Sequence, residues 1–284
     1  MHYRGGGIIG AAHIGVLKAF EEENIKIEYI SGTSSGSIVA ALYAMGFNYK
    51  EILYLFKKYS KKIKYIDNRN IVKIIYGILI KRKIIINGLN SGEIIEKAIN
   101  EVAIKKNIKK IKDIKMPLLI PSVNISNGEI YFFCSKDIRR NISDKIIFNN
   151  DINIGKAVRA SCSYPLVFSP CVYNNIELID GGLRENITWK GLKQIGADKI
   201  ISVIFEKEVK NKCCKDIIEV VNNSIDILEH ELLNYEINGS DYLLKIKTKN
   251  ISLLDIKKID ELFNLGYKET KFKIKKIKKE LINN

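Results

Sequence analysis

The chain has 284 residues, and 46% of them are hydrophobic, which is enough for a substantial core. It contains 47 Lys and Arg against 32 Asp and Glu, a formal net charge of +15 at pH 7. No basic motif interleaved with aromatics and no zinc-ligand spacing indicates nucleic-acid binding, so we interpret the charge as a lysine-rich solvated surface. The five cysteines are odd in number and fit no metal pattern, so we expect reduced thiols in the cytoplasm and no cofactor.

Strand and helix patterns alternate along the chain. A glycine-rich loop at residues 5–10 precedes a helical pattern at 11–24, and an apolar strand-like run at 25–30 precedes another helical pattern at 37–45. Later strands are predicted at 116–124, 129–134, 199–205 and 242–247, with a hairpin around Asn174-Asn175 within 171–182. Helices are predicted at 151–159, 190–196, 217–233 and from 255 onwards. This order predicts an α/β fold, a three-layer sandwich with a mostly parallel central sheet. We expect a single domain over residues 1–284, in which a mostly helical insertion at 48–112 roofs a site.

Two segments combine apolar and basic residues. Residues 74–80 are apolar and lead into Lys81-Arg82-Lys83, but they fall far short of the roughly 20 residues that cross a bilayer. We expect a core helix with a solvated end there, and insertion at a membrane interface is the alternative. For the basic helical pattern at 268–279, a solvated surface and contact with an anionic membrane are the two interpretations. The start of the chain shows no apolar signal sequence, so we expect a soluble or peripheral cytoplasmic protein of unspecified oligomeric state.

Residues 32–36, Gly-Thr-Ser-Ser-Gly, stand between a predicted strand and a predicted helix. This is the setting of a nucleophile elbow, in which a serine occupies a tight turn between the two elements. Strand and helix pass so closely that a side chain two positions either side of Ser34 would clash, which explains Gly32 and Gly36. Ser34 then lies beside a helix N-terminus, which favours developing negative charge. Ordinary turns also use glycine and serine, so the motif alone leaves a structural role open.

Two further glycine motifs are candidates for chemistry. Gly5, Gly6 and Gly7, with Gly10, open a helix, and consecutive glycines leave backbone N–H groups accessible to an anion. An oxyanion hole, a phosphate cradle and a flexible loop all fit this pattern, whereas a dinucleotide site needs a different spacing. Asp180-Gly181-Gly182 ends an apolar strand, where α/β sheets place their chemistry, although Asp-Gly is also an ordinary turn sequence.

The three histidines are poorly placed for a Ser-His-Asp triad. We expect His2 to lie in a mobile terminus, His13 to be packed in a helix, and His230 to lie on an amphipathic helix and not on a loop. If Ser34 is a nucleophile, the remaining option is an aspartate that acts directly as its base.

Four blocks of sequence, in family order, resemble patatin-like phospholipases. They are the glycine block at 5–17, the elbow at 32–38, the segment Ala-Ser-Cys-Ser-Tyr-Pro-Leu-Val-Phe at 160–168 and Asp180-Gly181-Gly182. They cover most of residues 5–190, and residues 191–284 add C-terminal strand and helix elements. The resemblance implies a lipid acyl hydrolase that cleaves a lipid ester without a cofactor. It also implies Ser34 as nucleophile, Asp180 as general base and the amides of Gly5, Gly6 and Gly7 as an oxyanion hole.

Two features depart from the family pattern. Ile9 stands where the family usually has Lys or Arg, which weakens the case for phospholipids over neutral esters. Only residues 1–4 precede the glycines, where a hydrophobic central strand is usual, so we expect a looser sheet and oxyanion loop. These departures support an alternative, a catalytically weak or inactive lipid-binding descendant of the same fold.

Overall fold

The computed structural model of this chain describes residues 1–63, 70, 73, 76–83, 86–138, 145–207, 213–248, 251 and 255–282. The strands are β1 (His2–Tyr3), β2 (Ile30–Gly32), β3 (Leu118–Asn124), β4 (Ile130–Cys134), β5 (Ile146–Asn149), β6 (Cys171–Tyr173), β7 (Ile176–Asp180), β8 (Ile201–Lys207) and β9 (Tyr242–Thr248). The α-helices are α1 (Ala11–Glu22), α2 (Ser35–Ala44), α3 (Tyr49–Ser60), α4 (Glu93–Ile104), α5 (Ile154–Ser161), α6 (Trp189–Gln194), α7 (Ile217–Glu236) and α8 (Ile259–Ile282).

The strands form one sheet in the order β5-β4-β3-β2-β1-β8-β9, and the β6–β7 hairpin pairs with β3. Neighbouring strands are parallel except at the pairs β3–β4, β3–β7 and β6–β7. The predicted α/β fold with a mostly parallel sheet is confirmed.

Side chains of alternate residues enter separate cores on the two faces of the sheet. On β3, Leu118 and Ile120 join the larger core, which contains residues of α1 to α5 and of α8. Leu119, between them, joins the core on the other face with Leu192 of α6 and Ile195. This alternation follows from the two-residue period of a strand and produces the predicted three layers.

The strand expected to be missing before the glycines is present, although it is only two residues long. β1 lies in the middle of the sheet and pairs in parallel with β2 and with β8. The prediction that His2 lies in a mobile terminus is wrong. His2 is fully buried, and its ring contacts the Ser31 hydroxyl at 2.9 Å and the Asn186 carbonyl at 2.6 Å. The glycine loop therefore follows a strand that both neighbours hold in place.

Strand β2 begins later than the predicted run at 25–30. Ladder hydrogen bonds start only where partners are available: the Ile30 N–H donates to Pro117 O at 2.9 Å, and the Ser31 N–H donates to Met1 O at 2.8 Å. The Ile25 N–H instead donates to the Phe20 carbonyl at the end of α1, and the ladder reaches back only as far as the Tyr29 carbonyl, which accepts from the Met1 amino group at 2.6 Å.

The helical insertion contains α3 and α4 in its described part. Ile74 and Ile75 of the predicted core helix lie outside the described residues. Leu79 and Ile80, in a π-helical turn over Gly77–Lys81, are 72% and 64% exposed. The prediction that this run is buried in the core is therefore wrong for these two side chains. Among the helices that the structure describes, none is both long enough and apolar enough to span a membrane.

Candidate active site

Ser34 occupies the turn between β2 and α2 with a backbone φ of 51° and ψ of −127°. A positive φ is rare for a residue with a side chain and persists only where the surroundings enforce it. The surroundings here are tight: a Cβ on Gly32 would lie 2.2 Å from Gly36 O, and a Cβ on Gly36 would lie 2.2 Å from Tyr3 O. Glycine at both positions allows α2 to start directly against β1 and β2.

The sheet register explains how Asp180 reaches Ser34. β2 pairs in parallel with the start of β3, where Ile30 faces Leu118, and β7 pairs antiparallel with its end, where Asp180 faces Ser122. Because β4 occupies the other edge of β3, β2 and β7 share one edge and run toward each other. Their carboxyl ends therefore meet, which brings together two residues that are far apart in the sequence.

The Asp180 carboxyl is buried, with 1% of the residue exposed. One oxygen accepts a hydrogen bond from the Gly182 N–H at 2.9 Å, whereas the other, Oδ2, has no hydrogen-bond partner among the described residues. Burial raises the pKa of Asp180 to about 7, and interactions with the Ser34 hydroxyl and the Gly182 N–H oppose that rise. Ser34 is thus close enough to interact with the carboxyl, although no well-aligned hydrogen bond joins these two described residues.

The segment at the end of α5 contacts both Ser34 and Asp180. The Ser161 hydroxyl accepts a hydrogen bond from the Ser34 N–H at 3.0 Å. The Ser163 carbonyl accepts one from the Asp180 N–H at 3.1 Å. Sequence analysis assigned no role to these serines, although both belong to the Ala-Ser-x-Ser block that resembles the family.

Of the predicted oxyanion glycines, Gly5 lies directly beside Ser34. A Cβ on Gly5 would lie 2.7 Å from the Ser34 Cβ, so no side chain fits there. Gly7 has a φ of 55° and begins a 3-10 turn that leads into α1. Within the described chain, neither the Gly5 nor the Gly6 N–H donates a hydrogen bond, so both amides are available to an acceptor. Gly10 and Gly181 lie in the 3-10 turns Gly7–Gly10 and Gly181–Leu183.

Ser34, Asp180 and the three glycines line a cavity of about 190 Å³. The insertion that was predicted to roof a site supplies α3 and α4 to its wall. Most of that wall is apolar, with side chains from α2, α3, α4 and the segment after α5: Ile38, Leu42, Leu55, Phe56, Ile94, Ile95, Ile99, Val102, Val167 and Phe168. An extended apolar ligand fits such a lining.

The polar part of the cavity wall was not predicted. Arg4, Asn186, Asp226 and Glu229 line the cavity. The Arg4 guanidinium is 3.9 Å from the Glu229 carboxylate, and the Asn186 side-chain amide donates to the Glu229 carbonyl at 3.1 Å. Burial lowers the pKa of Arg4, and the nearby acids oppose that effect. Arg4 thus provides a cation directly before the glycine loop.

None of the three histidines, all in the described part of the chain, lines this cavity. His13 is buried and its Nε2 contacts the Arg4 carbonyl at 2.7 Å, as expected of a packed residue, while His230 is exposed on α7. Within the described ranges, no group of three or more His, Cys, Asp or Glu side chains is arranged to hold a metal ion.

The sequence model of the family described as patatin-like phospholipase matches residues 4–193, more than half of the chain. The chain belongs to the patatin-like phospholipase family. The matched region contains Ser34, Asp180 and every glycine discussed above.

Relatives of this patatin-like chain agree with that assignment. The uncharacterized protein YqhO of Bacillus subtilis is 28% identical over 192 residues, which cover 65% of this chain and 63% of YqhO. Lysophospholipase NTE1 of Candida albicans is 27% identical over 199 residues, which cover 70% of this chain but 12% of NTE1. The match therefore spans less than two thirds of either relative. The crystal structure of VipD from Legionella pneumophila has a TM-score of 0.51 at 15% identity, covers 95% of this chain and 65% of VipD, and supports the fold alone.

Proposed function

We propose that this chain is a serine acyl hydrolase that cleaves lipid carboxylic esters through a Ser34–Asp180 dyad. The observation that carries the proposal is a buried carboxyl next to the Ser34 hydroxyl, at one end of a cavity with apolar walls. Membership of the patatin-like phospholipase family and the lysophospholipase relatives support lipid hydrolysis as the reaction class.

In the first half of the reaction, the Ser34 oxygen attacks the ester carbonyl carbon while Asp180 takes the hydroxyl proton. The carbonyl π electrons move onto the oxygen, and the N–H groups of Gly5, Gly6 and Gly7 stabilise the resulting oxyanion. Removal of one such donor costs roughly 2.7–4 kcal/mol in other hydrolases. The intermediate then collapses, the leaving alcohol takes the proton from Asp180, and the acyl group remains on Ser34.

In the second half, Asp180 takes a proton from a water molecule that attacks the acyl-enzyme. A second oxyanion forms in the same glycine loop and collapses, and Ser34 leaves with the proton from Asp180. A pKa of about 7 suits this role because the carboxyl is largely ionised just above neutral pH and still a useful proton acceptor. The apolar walls hold the acyl chain away from water throughout.

The alternative is a lipid-binding protein with little or no turnover. The replacement of the usual basic residue by Ile9, which is buried, favours it. In that case the cavity binds lipid but Ser34 stays unreactive.

A chromogenic medium-chain ester tests the proposal. We expect wild-type turnover and a loss of at least about a thousandfold in kcat for Ser34→Ala and for Asp180→Asn, since both act in the same steps. His230→Ala, which changes an exposed residue, is the matched control and should retain activity. A fluorophosphonate probe should label the wild type and leave Ser34→Ala unlabelled.

Two results would contradict the dyad. If Asp180→Asn turns over at the wild-type rate while His230→Ala is inactive, a histidine is the base. If folded wild type neither turns over any ester nor reacts with the probe, the lipid-binding alternative replaces the proposal.

A further inference from the structure

His13 lies in the first turn of α1 and is fully buried. Its Nε2 is 2.7 Å from the Arg4 carbonyl oxygen, and because a carbonyl only accepts hydrogen bonds, Nε2 must carry the proton. The other ring nitrogen, Nδ1, has no hydrogen-bond partner among the described residues, as expected of an unprotonated nitrogen in an apolar setting. Burial lowers the pKa of His13 to about 3, and the hydrogen bond to Arg4 opposes this only in part. His13 is therefore a neutral hydrogen-bond donor at neutral pH.

The hydrogen bond from His13 acts on the peptide that joins Arg4 to Gly5. The Arg4 carbonyl and the Gly5 N–H belong to one planar unit, and the described chain has no cis peptide bond. In a trans peptide the C=O and the N–H point in opposite directions, so a carbonyl held toward His13 directs the Gly5 N–H away from it. That N–H donates to no described acceptor, and Gly5 lies beside Ser34. Its direction therefore decides whether it meets an oxyanion on an ester that Ser34 attacks.

The Arg4–Gly5 peptide has little other support. Strand β1 ends at Tyr3, and beyond it the Arg4 N–H donates to the Val203 carbonyl at 3.2 Å. Within the described chain, the bond from His13 is the one hydrogen bond that the Arg4 carbonyl accepts. Glycine restricts its own dihedral angles very little, so without this bond the peptide is free to turn about the single bonds on either side.

A ring contact extends this support to the next glycine. The His13 ring centroid lies 4.5 Å from that of Tyr3 and 4.7 Å from that of Phe205. A Cβ on Gly6 would lie 3.1 Å from the Phe205 ring, so Phe205 packs directly against Gly6. His13 thus supports Gly5 through a hydrogen bond and Gly6 through the Phe205 ring.

We propose that His13 is a positioning residue of the oxyanion hole: its Nε2–H holds the Arg4 carbonyl and thereby directs the Gly5 N–H toward the oxyanion. His13 contacts neither the ester nor Ser34 and transfers no proton. This role rests on the proposed function, because the Gly5 N–H has an oxyanion to meet only if Ser34 attacks an ester. It differs from a packing role, which any ring of similar size would fill.

Two substitutions separate the donor from the ring. His13→Phe keeps a ring in the cluster and removes the donor, whereas His13→Gln supplies a side-chain N–H in its place. We expect His13→Phe to lower kcat on the chromogenic ester by about ten- to a hundredfold with little change in KM, since complete loss of an oxyanion donor costs about a hundred- to a thousandfold. A trifluoromethyl ketone, which forms an anionic tetrahedral adduct with a serine, should bind more weakly by the same factor.

The controls exclude a general loss of folded protein. His13→Gln should recover most of the kcat and of the ketone affinity. Tyr3→Phe changes the same ring cluster but removes a hydroxyl that has no hydrogen-bond partner among the described residues, so it should keep the wild-type kcat. Active sites are counted by the end point of fluorophosphonate labelling, so that unfolded chains do not enter kcat.

An NMR measurement reads the Arg4–Gly5 peptide without any turnover. Arginine labelled with 13C at the carbonyl and glycine labelled with 15N select this peptide alone, because Arg4-Gly5 is the only Arg-Gly pair in the sequence. Wild type and His13→Gln should give one narrow Gly5 amide signal. In His13→Phe the signal should shift and broaden, while the 15N signal of Gly46, an exposed glycine after α2, stays unchanged.

An unchanged Gly5 signal in His13→Phe would overturn the proposal, and so would equal losses of kcat in His13→Phe, His13→Gln and Tyr3→Phe. Failure of the proposed function has a different result. A wild type without turnover overturns the dyad, while the NMR signal still decides whether His13 orients the peptide. A wild type whose turnover needs Ser34 and Asp180 but does not respond to His13→Phe overturns the role of His13 alone.

Discussion

Burial removes the Asp180 carboxyl from water and leaves it one hydrogen bond, from the Gly182 N–H, with the Ser34 hydroxyl nearby. This environment affects two measurable properties. Because burial raises the pKa of Asp180 to about 7, the general base becomes available only as the pH rises through neutrality. The first property is the rate of ester cleavage, and the second is the stability of the fold.

We expect kcat/KM for a soluble ester to rise tenfold per pH unit below neutrality and to level off above an apparent pKa near 7. A pH–rate profile measures this transition. Glu185→Gln is the control, because burial also raises the pKa of Glu185 to about 7 but its side chain does not line the cavity. If the transition disappears in Glu185→Gln, the titrating group is Glu185 and not Asp180.

Asp180→Asn should stabilise the fold at alkaline pH. Asp180 holds its proton more tightly in the folded chain than its ordinary pKa of 3.8 allows, so ionisation opposes folding. The penalty is absent below about pH 4, grows between pH 4 and 7, and is complete above pH 7, where it reaches a few kcal/mol. Urea unfolding at pH 5 and pH 8 should show a larger gain for the variant at pH 8. An equal gain in stability at pH 5 and pH 8 would mean that burial does not raise the pKa of Asp180.

Ser161→Ala tests whether catalysis depends on the hydrogen bond from the Ser34 N–H to the Ser161 hydroxyl. The change leaves the half-buried Ser34 N–H without its side-chain acceptor, which costs about 1–3 kcal/mol. We expect kcat to fall by ten- to a hundredfold with little change in KM. Ser163→Ala is the control, since its hydroxyl donates to the Arg159 carbonyl and does not touch Ser34. Equal kinetic losses in both variants would indicate a general disturbance of this segment.

At the scale of elements, helices α1 and α8 cross with backbones in contact. A Cβ on Gly266 would lie 2.0 Å from the Ala12 carbonyl oxygen, and a Cβ on Gly15 would lie equally close to the Phe263 carbonyl oxygen. Gly266→Ala should therefore lower the free energy of unfolding by about 1–3 kcal/mol, because the helices must separate. Thermal and urea unfolding measure this, with Asn264→Ala at an exposed position of α8 as the neutral control. Unchanged stability of Gly266→Ala would mean that the crossing relaxes freely.

Elements with local signals were predictable from the sequence. Asn174 and Asn175 adopt the positive φ values of 47° and 63° that suit a tight hairpin turn, and β6 and β7 pair on either side of them. β1 was not predictable, since two residues show no period and only the neighbouring strands make them a strand. For α7 the helix itself was predicted, but tertiary packing alone decides which of its faces meets solvent.

The residues of the candidate site also fall into two groups, those that the sequence identified and those that only the fold brings together. Ser34, Asp180 and the glycines belong to short motifs, so the sequence pointed to them directly. Arg4, Asp226 and Glu229 come from a loop and a distant helix, and only the fold brings them to one cavity. Ser161 was visible in a motif, but its contact with the Ser34 N–H depends on how α5 packs.

For the whole molecule, the net charge of +15 predicts an electrostatic attraction to anionic lipid surfaces. Attraction of the lysine-rich surface to anionic vesicles should weaken strongly between 0.05 and 0.5 M NaCl, because salt screens exposed charges. Flotation at both salt concentrations, with and without phosphatidylglycerol, measures this attraction. Equal flotation at the two salt concentrations would contradict an electrostatic origin.

The meeting of β2 and β7 on one edge of β3 also bears on synthesis. A ribosome releases Ser34 early and Asp180 much later, and β1 receives its second neighbour only when β8 has emerged. A partly synthesised chain therefore contains Ser34 without Asp180 and without the complete sheet. Under the chemistry proposed here, a nascent chain stays unreactive toward surrounding lipids until β8 (Ile201–Lys207) has been synthesised and the sheet around β1 can close.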